Sequence, residues 1–133
     1  MNLGNSLSAS AARNPRKLAI AIENESIPYE ELEHSSASLA RWLLRHGCKP
    51  GDRVAIHWPN SIEMVKLLFA CFKEGMIAVP VNVRLKALEV TYLLTHSKAA
   101  ILLCASRSDR CDKRRLPRPR VWPAIAILLG EPG

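Results

Sequence analysis

The side chains best placed for chemistry are His57, Asn82 and Arg84, each at or just beyond the carboxyl end of an apolar run. Ligands of open parallel sheets bind beyond the carboxyl ends of the strands. An imidazole there can move a proton, and a guanidinium there can hold an anion. Each residue also has a plainer reading, which the sequence favours. His57 reads as a partly buried structural histidine, Asn82 and Arg84 as turn and surface charge. His34, His46 and His96 fall on helical stretches without metal-ligand spacing to one another, so no metal site is expected. The glycines stand at 4, 47, 51, 75, 130 and 133, and no group of them makes a phosphate-cradling loop. No catalytic, cofactor-binding or metal-binding residue is assigned.

The four cysteines, Cys48, Cys71, Cys104 and Cys111, contain no Cys-x-x-Cys pair. Cys71 lies within an apolar helix and Cys104 ends an apolar strand, positions of small core hydrophobes. Buried free thiols, and with them a reducing cytoplasm, are the expectation. The chain has 133 residues, 48% of them hydrophobic, which suits one domain with a true core. It has no apolar run of about 18 residues and no cationic-then-apolar leader, so neither a membrane span nor a secretory signal is expected.

The net charge of +7 is unevenly spread. Residues 107–133 carry seven Lys or Arg (107, 110, 113, 114, 115, 118 and 120) against Asp109, Asp112 and Glu131. Such a cluster could meet nucleic acid or anionic lipid. It has no interleaved aromatics and matches no recognisable module, so no specific nucleic-acid partner is expected. Prolines at 117, 119, 123 and 132 remove any periodicity. The expectation for 107–133 is a basic, Pro-rich tail, disordered apart from the apolar patch Ala124–Leu129, or an out-of-frame end.

The elements that would position these residues are legible from Asn2 to Cys104. A short helix has Leu3, Leu7 and Ala11 at helical spacing and stops before Pro15. Leu18–Ile22 is a strand, with Ser26-Ile27 as its hairpin partner after a turn at Glu23-Asn24-Glu25. Tyr29–His46 is amphipathic, with Tyr29, Leu32, Leu39, Ala40, Leu43 and Leu44 on one face, and Gly47 ends it. Arg53–Trp58 is a strand. Asn60 and Glu63 form a capping box for a helix from Ser61 to Glu74, which stops at Gly75. Strand Met76–Val81 follows, making a right-handed βαβ crossover. Only Glu63, Lys66, Lys73 and Glu74 interrupt the apolar residues of the middle helix. Most of its circumference therefore needs cover, and few elements are evident to supply it. A further helix, Leu85–His96, points Leu85, Leu88, Tyr92 and Leu93 inward, and Ala99–Cys104 is a third strand. Strand starts at Arg53, Met76 and Ala99 fall at equal intervals of 23 residues, as β/α alternation requires.

Residues from about Leu3 to Ala105 resemble the opening of the adenylate-forming (AMP-binding) superfamily, which includes acyl-CoA synthetases, acid–CoA ligases, luciferases and peptide-synthetase adenylation domains. Arg13-Asn-Pro-Arg-Lys-Leu-Ala-Ile20 resembles its first segment, and Tyr29-Glu-Glu-Leu32 its Thr-Tyr-x-Glu-Leu helix start. Gly47-Cys-Lys-Pro-Gly-Asp-Arg-Val-Ala55 resembles its Gly-x-x-x-Gly-Asp-x-Val-Ala turn. Pro59-Asn60 and Gly75-Met-Ile-Ala-Val-Pro-Val-Asn82 resemble its next landmarks. Pro28 stands where the family has Thr, which removes a side-chain cap at a cost of about 1 kcal/mol or less.

The resemblance implies an α/β fold: a partial parallel βαβαβ flavodoxin-like sheet with an N-terminal helix and a small β element over residues 1–106. It implies an activity in which a carboxylate attacks the α-phosphate of ATP, pyrophosphate leaves, and the acyl group passes to coenzyme A with release of AMP. That chemistry depends on anchoring phosphates and neutralising charge. The family does so with a Ser/Thr/Gly-rich loop ending in Lys, an acidic Mg2+ contact, a ribose-binding Asp and a lid Lys. All of these lie beyond the resembling segment, so the chain is expected to be a truncated and by itself inactive segment. The competing readings are a non-catalytic module that pairs with a complementary chain or with itself through an exposed sheet edge, and a basic-tail nucleic-acid binder.

Overall fold

The computed structural model describes residues 2–105 and 124–128. The expectation of a disordered or out-of-frame tail falls mostly outside them. Two units are distinguishable, residues 1–51 with 60–76, and residues 52–59 with 77–133.

The first unit holds three helices and a hairpin. Helix α1, Leu3–Arg13, is capped by Asn2, whose Oδ1 accepts the Gly4 N–H at 2.7 Å. Its inner stripe is Gly4, Leu7 and Ala11, while Leu3 is exposed. Strands β1 (Leu18–Ile22) and β2 (Glu25–Pro28) pair antiparallel, as expected of the hairpin. Helix α2, Tyr29–Arg45, starts at Pro28 with no side-chain cap. The missing cap is replaced by backbone: Tyr29 N–H donates to Lys17 O at 2.9 Å and Glu30 N–H to Pro15 O at 3.0 Å. Two of the unsatisfied donors at the helix start are thereby paired.

Helix α3, Ile62–Lys73, corrects the expected cap. Ser61 holds the N-cap position and its Oγ accepts the Met64 N–H at 3.3 Å, so Asn60 and Glu63 form no capping box. The physical reason is register. With Ser61 at the cap, the position three residues on is Met64, which has no carboxylate to reach back. Both α2 and α3 end alike. Gly47 N–H donates to Leu44 O and Cys48 N–H to Leu43 O; Gly75 N–H donates to Phe72 O and Met76 N–H to Cys71 O. These are Schellman closures, and each places a buried side chain, Cys48 or Met76, just past the left-handed glycine.

The expected shortage of cover for α3 is also corrected. Leu7, Ile27, Leu32 and Ile62 form one buried cluster against which Val65 and Phe69 pack. Helices α1 and α2 and the hairpin supply the cover, and no large apolar side chain of α3 is exposed.

The second unit is a parallel sheet, ordered β4-β3-β5-β6, of β3 (Arg53–His57), β4 (Ile77–Pro80), β5 (Ile101–Ala105) and β6 (Ala124–Leu128). The β4-β3-β5 pairing gives the expected parallel α/β sheet, and β6 adds in parallel to β5. Val54 to His57 and Ile101 to Cys104 are buried at every position, the pattern of strands covered on both faces. Helix α4, Ala87–Ser97, lies in the core through Val90 and Leu94, beside Ala55, Leu102 and Cys104. The expected inward face is corrected. Leu88, Tyr92 and Leu93 are exposed, and only Leu85, ahead of the helix, packs on the core as expected. The helix is apolar around its circumference, so periodicity alone does not choose a face.

Cys48 and Cys71 are buried thiols outside any disulfide, as expected. Cys104 is disulfide-bonded, which corrects the expectation of a free thiol there. Burial does not keep a thiol reduced when a second comes within bonding reach. No helix among the described residues is long and apolar enough to cross a membrane.

Candidate functional site

The carboxyl ends of β3, β4 and β5 are where the fold places ligands. Parallel register sets His57 opposite Cys104 and Ile56 opposite Pro80. Val81 N–H donates to Ile56 O at 2.9 Å, carrying the pairing one residue past β4. His57 is 1% exposed and the following Trp58 is 7% exposed. An imidazole so deeply placed is a packed member of the sheet end.

Asn82 is occupied locally. Its Oδ1 accepts the Arg84 N–H at 2.9 Å, and its carbonyl accepts the Leu85 N–H at 3.1 Å. That is an Asx turn leading toward α4. Arg84 is exposed beside it. The fold thus brings His57, Asn82 and Arg84 to the same end of the sheet, as the sequence implied. The arrangement supplies one buried imidazole, one turn amide and one exposed cation.

This donor set does not fit a magnesium nucleotide by itself. Among the described residues no group of three His, Cys, Asp or Glu is placed to hold a metal. The described glycines serve other ends. Gly47 and Gly75 close helices, Gly51 N–H donates to Gly75 O at 2.9 Å, and Gly4 lies against Lys73. His46 stacks on Trp42 with centroids 3.9 Å apart, and His96 stacks on Tyr92 at 5.5 Å.

The sequence reading missed one polar cluster. Lys73 Nζ donates to Glu33 Oε2 at 2.6 Å and to Ser8 Oγ at 3.0 Å, while Ser8 Oγ donates to Glu33 Oε1 at 2.7 Å. The pair is mostly buried, with side chains 11% and 29% exposed. It ties α1, α2 and α3 together. The only sequence signal was Lys73 as a charged interruption of an otherwise apolar helix. Nearby, burial and the neighbouring Cys48 thiol push the Cys71 thiol up to about 12, so Cys71 is a packing group and a poor nucleophile. A shallow cleft of about 450 Å³ is lined, among the described residues, by Asn2, Leu3, Phe72, Gly75 and Met76, none of them charged.

The parallel sheet with its helices is an α/β fold of the adenylate-forming type. The AMP-binding enzyme family model matches residues 7–125, and the chain belongs to that family. A fatty acid–[acyl-carrier-protein] ligase of Streptomyces coeruleorubidus is 37% identical over 121 residues, covering 91% of this chain and 23% of that protein. A feruloyl-CoA synthase of an Amycolatopsis species is 37% identical over 93 residues, 70% of this chain and 19% of that one. Among solved structures, a fatty acyl CoA synthetase of Mycobacterium tuberculosis aligns with a TM-score of 0.85 and 29% identity, over 96% of this chain and 26% of that chain. The chain thus spans about a quarter or less of the length of the relatives it matches.

Proposed function

We propose that these residues are the opening part of an ATP-dependent acyl-activating ligase, which forms an acyl adenylate from a carboxylic acid and passes the acyl group to a thiol. The observation that carries this reading is the family match over residues 7–125. The relatives support activation of an acid in general. One is named for a fatty acid and carrier protein, another for feruloyl-CoA, and another, from Oceanobacillus iheyensis, for 2-succinylbenzoate. Taken alone, the residues are expected not to turn over, because the described residues at the strand ends offer one exposed cation and no phosphate-cradling loop.

A chimera tests the proposal. Residues 7–125 replace the matched segment of the Streptomyces coeruleorubidus ligase, and acid-dependent ATP–pyrophosphate exchange is measured. Exchange within about tenfold of the parent is expected. A soluble, monodisperse chimera without exchange would contradict the proposal.

For residues 107–133, the family match to residue 125 and the parallel pairing of β6 support a continuation of the same domain over an out-of-frame end. Translating the neighbouring nucleotide frames distinguishes the two. A module that associates through its sheet edge is the second reading, favoured by β4, which among the described strands is an edge paired only with β3. Size-exclusion chromatography with light scattering tests it, and a monomer at all concentrations would count against it.

A further inference from the structure

Two buried thiols stand together where α2 and α3 end. Cys48 follows the glycine that closes α2, and its N–H donates to Leu43 O at 3.1 Å. Cys71 lies in the last turn of α3, and its carbonyl accepts the Met76 N–H at 2.9 Å. The two closing turns are joined to each other. Gly51 N–H donates to Gly75 O at 2.9 Å, and a Cβ on Gly75 would lie 3.9 Å from Pro50 Cβ, in ordinary contact. Cys48 is 5% exposed and Cys71 0%, so both belong to the core of the same helical unit. The Cys48 thiol is near enough to disfavour a thiolate at Cys71, an effect that falls away with distance.

We propose that Cys48 and Cys71 are an oxidisable pair that a small peroxide closes into a disulfide, fastening the end of α2 to the end of α3. The proposal stands apart from the ligase function. Cys48, the more exposed of the two, attacks one peroxide oxygen as the thiolate and becomes a sulfenic acid. The other oxygen leaves as hydroxide and takes up the thiol proton as water. The Cys71 sulfur then attacks the Cys48 sulfur, its proton goes to the departing hydroxyl, and a second water leaves. The two thiols lose two electrons, and the peroxide gains them. Burial keeps Cys71 protonated and slow. Its fixed place beside Cys48 offsets that by effective molarity. The link closes residues 48–71 into a loop, which restrains the unfolded chain.

The test uses the full 133-residue chain, reduced and then freed of reductant. It is treated with hydrogen peroxide at a dose that oxidises free cysteine in a parallel tube. Remaining thiols are alkylated, and the protein is digested with trypsin. The expected product joins the tryptic peptide of residues 46–53 to that of residues 67–73. It weighs two hydrogens less than the separate peptides, and dithiothreitol releases them. The oxidised chain should melt several degrees above the reduced one, and Cys48→Ser should lose that gain. Should that variant not fold, Cys71→Ala takes its place, and the peptide map of the wild-type chain decides the link by itself. Cys48 and Cys71 both recovered as thiols, or carried separately to sulfinic acid, would overturn the proposal. So would a link that forms only after unfolding in urea. A linked chain whose Tm is unmoved or lower would overturn the fastening of the two helix ends.

Discussion

Replacing Gly4 by alanine should destabilise the helical unit even though alanine is the better helix former. A Cβ on Gly4 would lie 2.6 Å from Lys73 Cα and 2.8 Å from the Lys73 backbone nitrogen. Ordinary contact begins at 3.4 Å, and backbone atoms cannot swing aside as a side-chain tip can. Helix α1 must therefore retreat by most of an ångström. That retreat pulls on the 2.7 Å bond from Ser8 to Glu33 and the 3.0 Å bond from Lys73 to Ser8. The bond from Asn2 Nδ2 to Lys73 O is already long at 3.4 Å. Helix propensity returns at most about 1 kcal/mol. Overpacking costs about 1–3 kcal/mol, and weakening hydrogen bonds to charged groups adds about 1.5–3 kcal/mol. The net loss is about 2–4 kcal/mol, which lowers Tm by roughly 5–15 °C in a chain of this size. Thermal unfolding followed by far-ultraviolet circular dichroism reads it. Ala9→Gly, at an exposed position of the same helix, gives the propensity scale, a loss of about 1 kcal/mol. A Gly4→Ala protein as stable as the parent, or more so, would refute the close-approach reasoning.

Three further outcomes are expected. Lys98 holds a left-handed conformation at φ 56° at the end of α4, so Lys98→Gly should stabilise by up to about 1 kcal/mol, and a lower Tm would contradict this. A double-mutant cycle of Glu33→Gln and Lys73→Met should return a coupling of about 1–2 kcal/mol, since the pair is mostly but not fully buried; a coupling near zero would mark it as a surface pair. The Cys71 thiol is raised from 9.0 to about 12 in the fold. Between those values the unfolded chain loses its proton while the folded one keeps it, so stability is fully present below pH 9 and falls toward pH 12. Denaturant titrations across that range should slope more steeply for the parent than for Cys71→Ala.

The elements legible in the sequence were those with punctuation. Gly47 and Gly75 announced the ends of α2 and α3, and the equal spacing of the β3, β4 and β5 strand starts announced a parallel sheet. What sequence could not supply were choices made by distant partners. Asn60 and Ser61 are both good caps, and the helix register selected the second. Helix α4 offered two apolar faces, and the core took Val90 and Leu94. The start of α2 looked uncapped because its partners, the carbonyls of Pro15 and Lys17, lie across the hairpin. The cover for α3 was underrated because α1 approaches through Gly4, a residue with no side chain to count. The candidate site was legible in position, with His57, Asn82 and Arg84 at the strand ends. The local engagement of Asn82 in its turn emerged only from the folded geometry.

Acid-dependent ATP–pyrophosphate exchange by the purified 133-residue chain alone, with a panel of fatty and aryl acids, tests most directly whether these residues carry scaffold without chemistry. The expected result is background label in every reaction. Exchange that rises with both enzyme and acid concentration would contradict it and place phosphate-gripping groups within this chain.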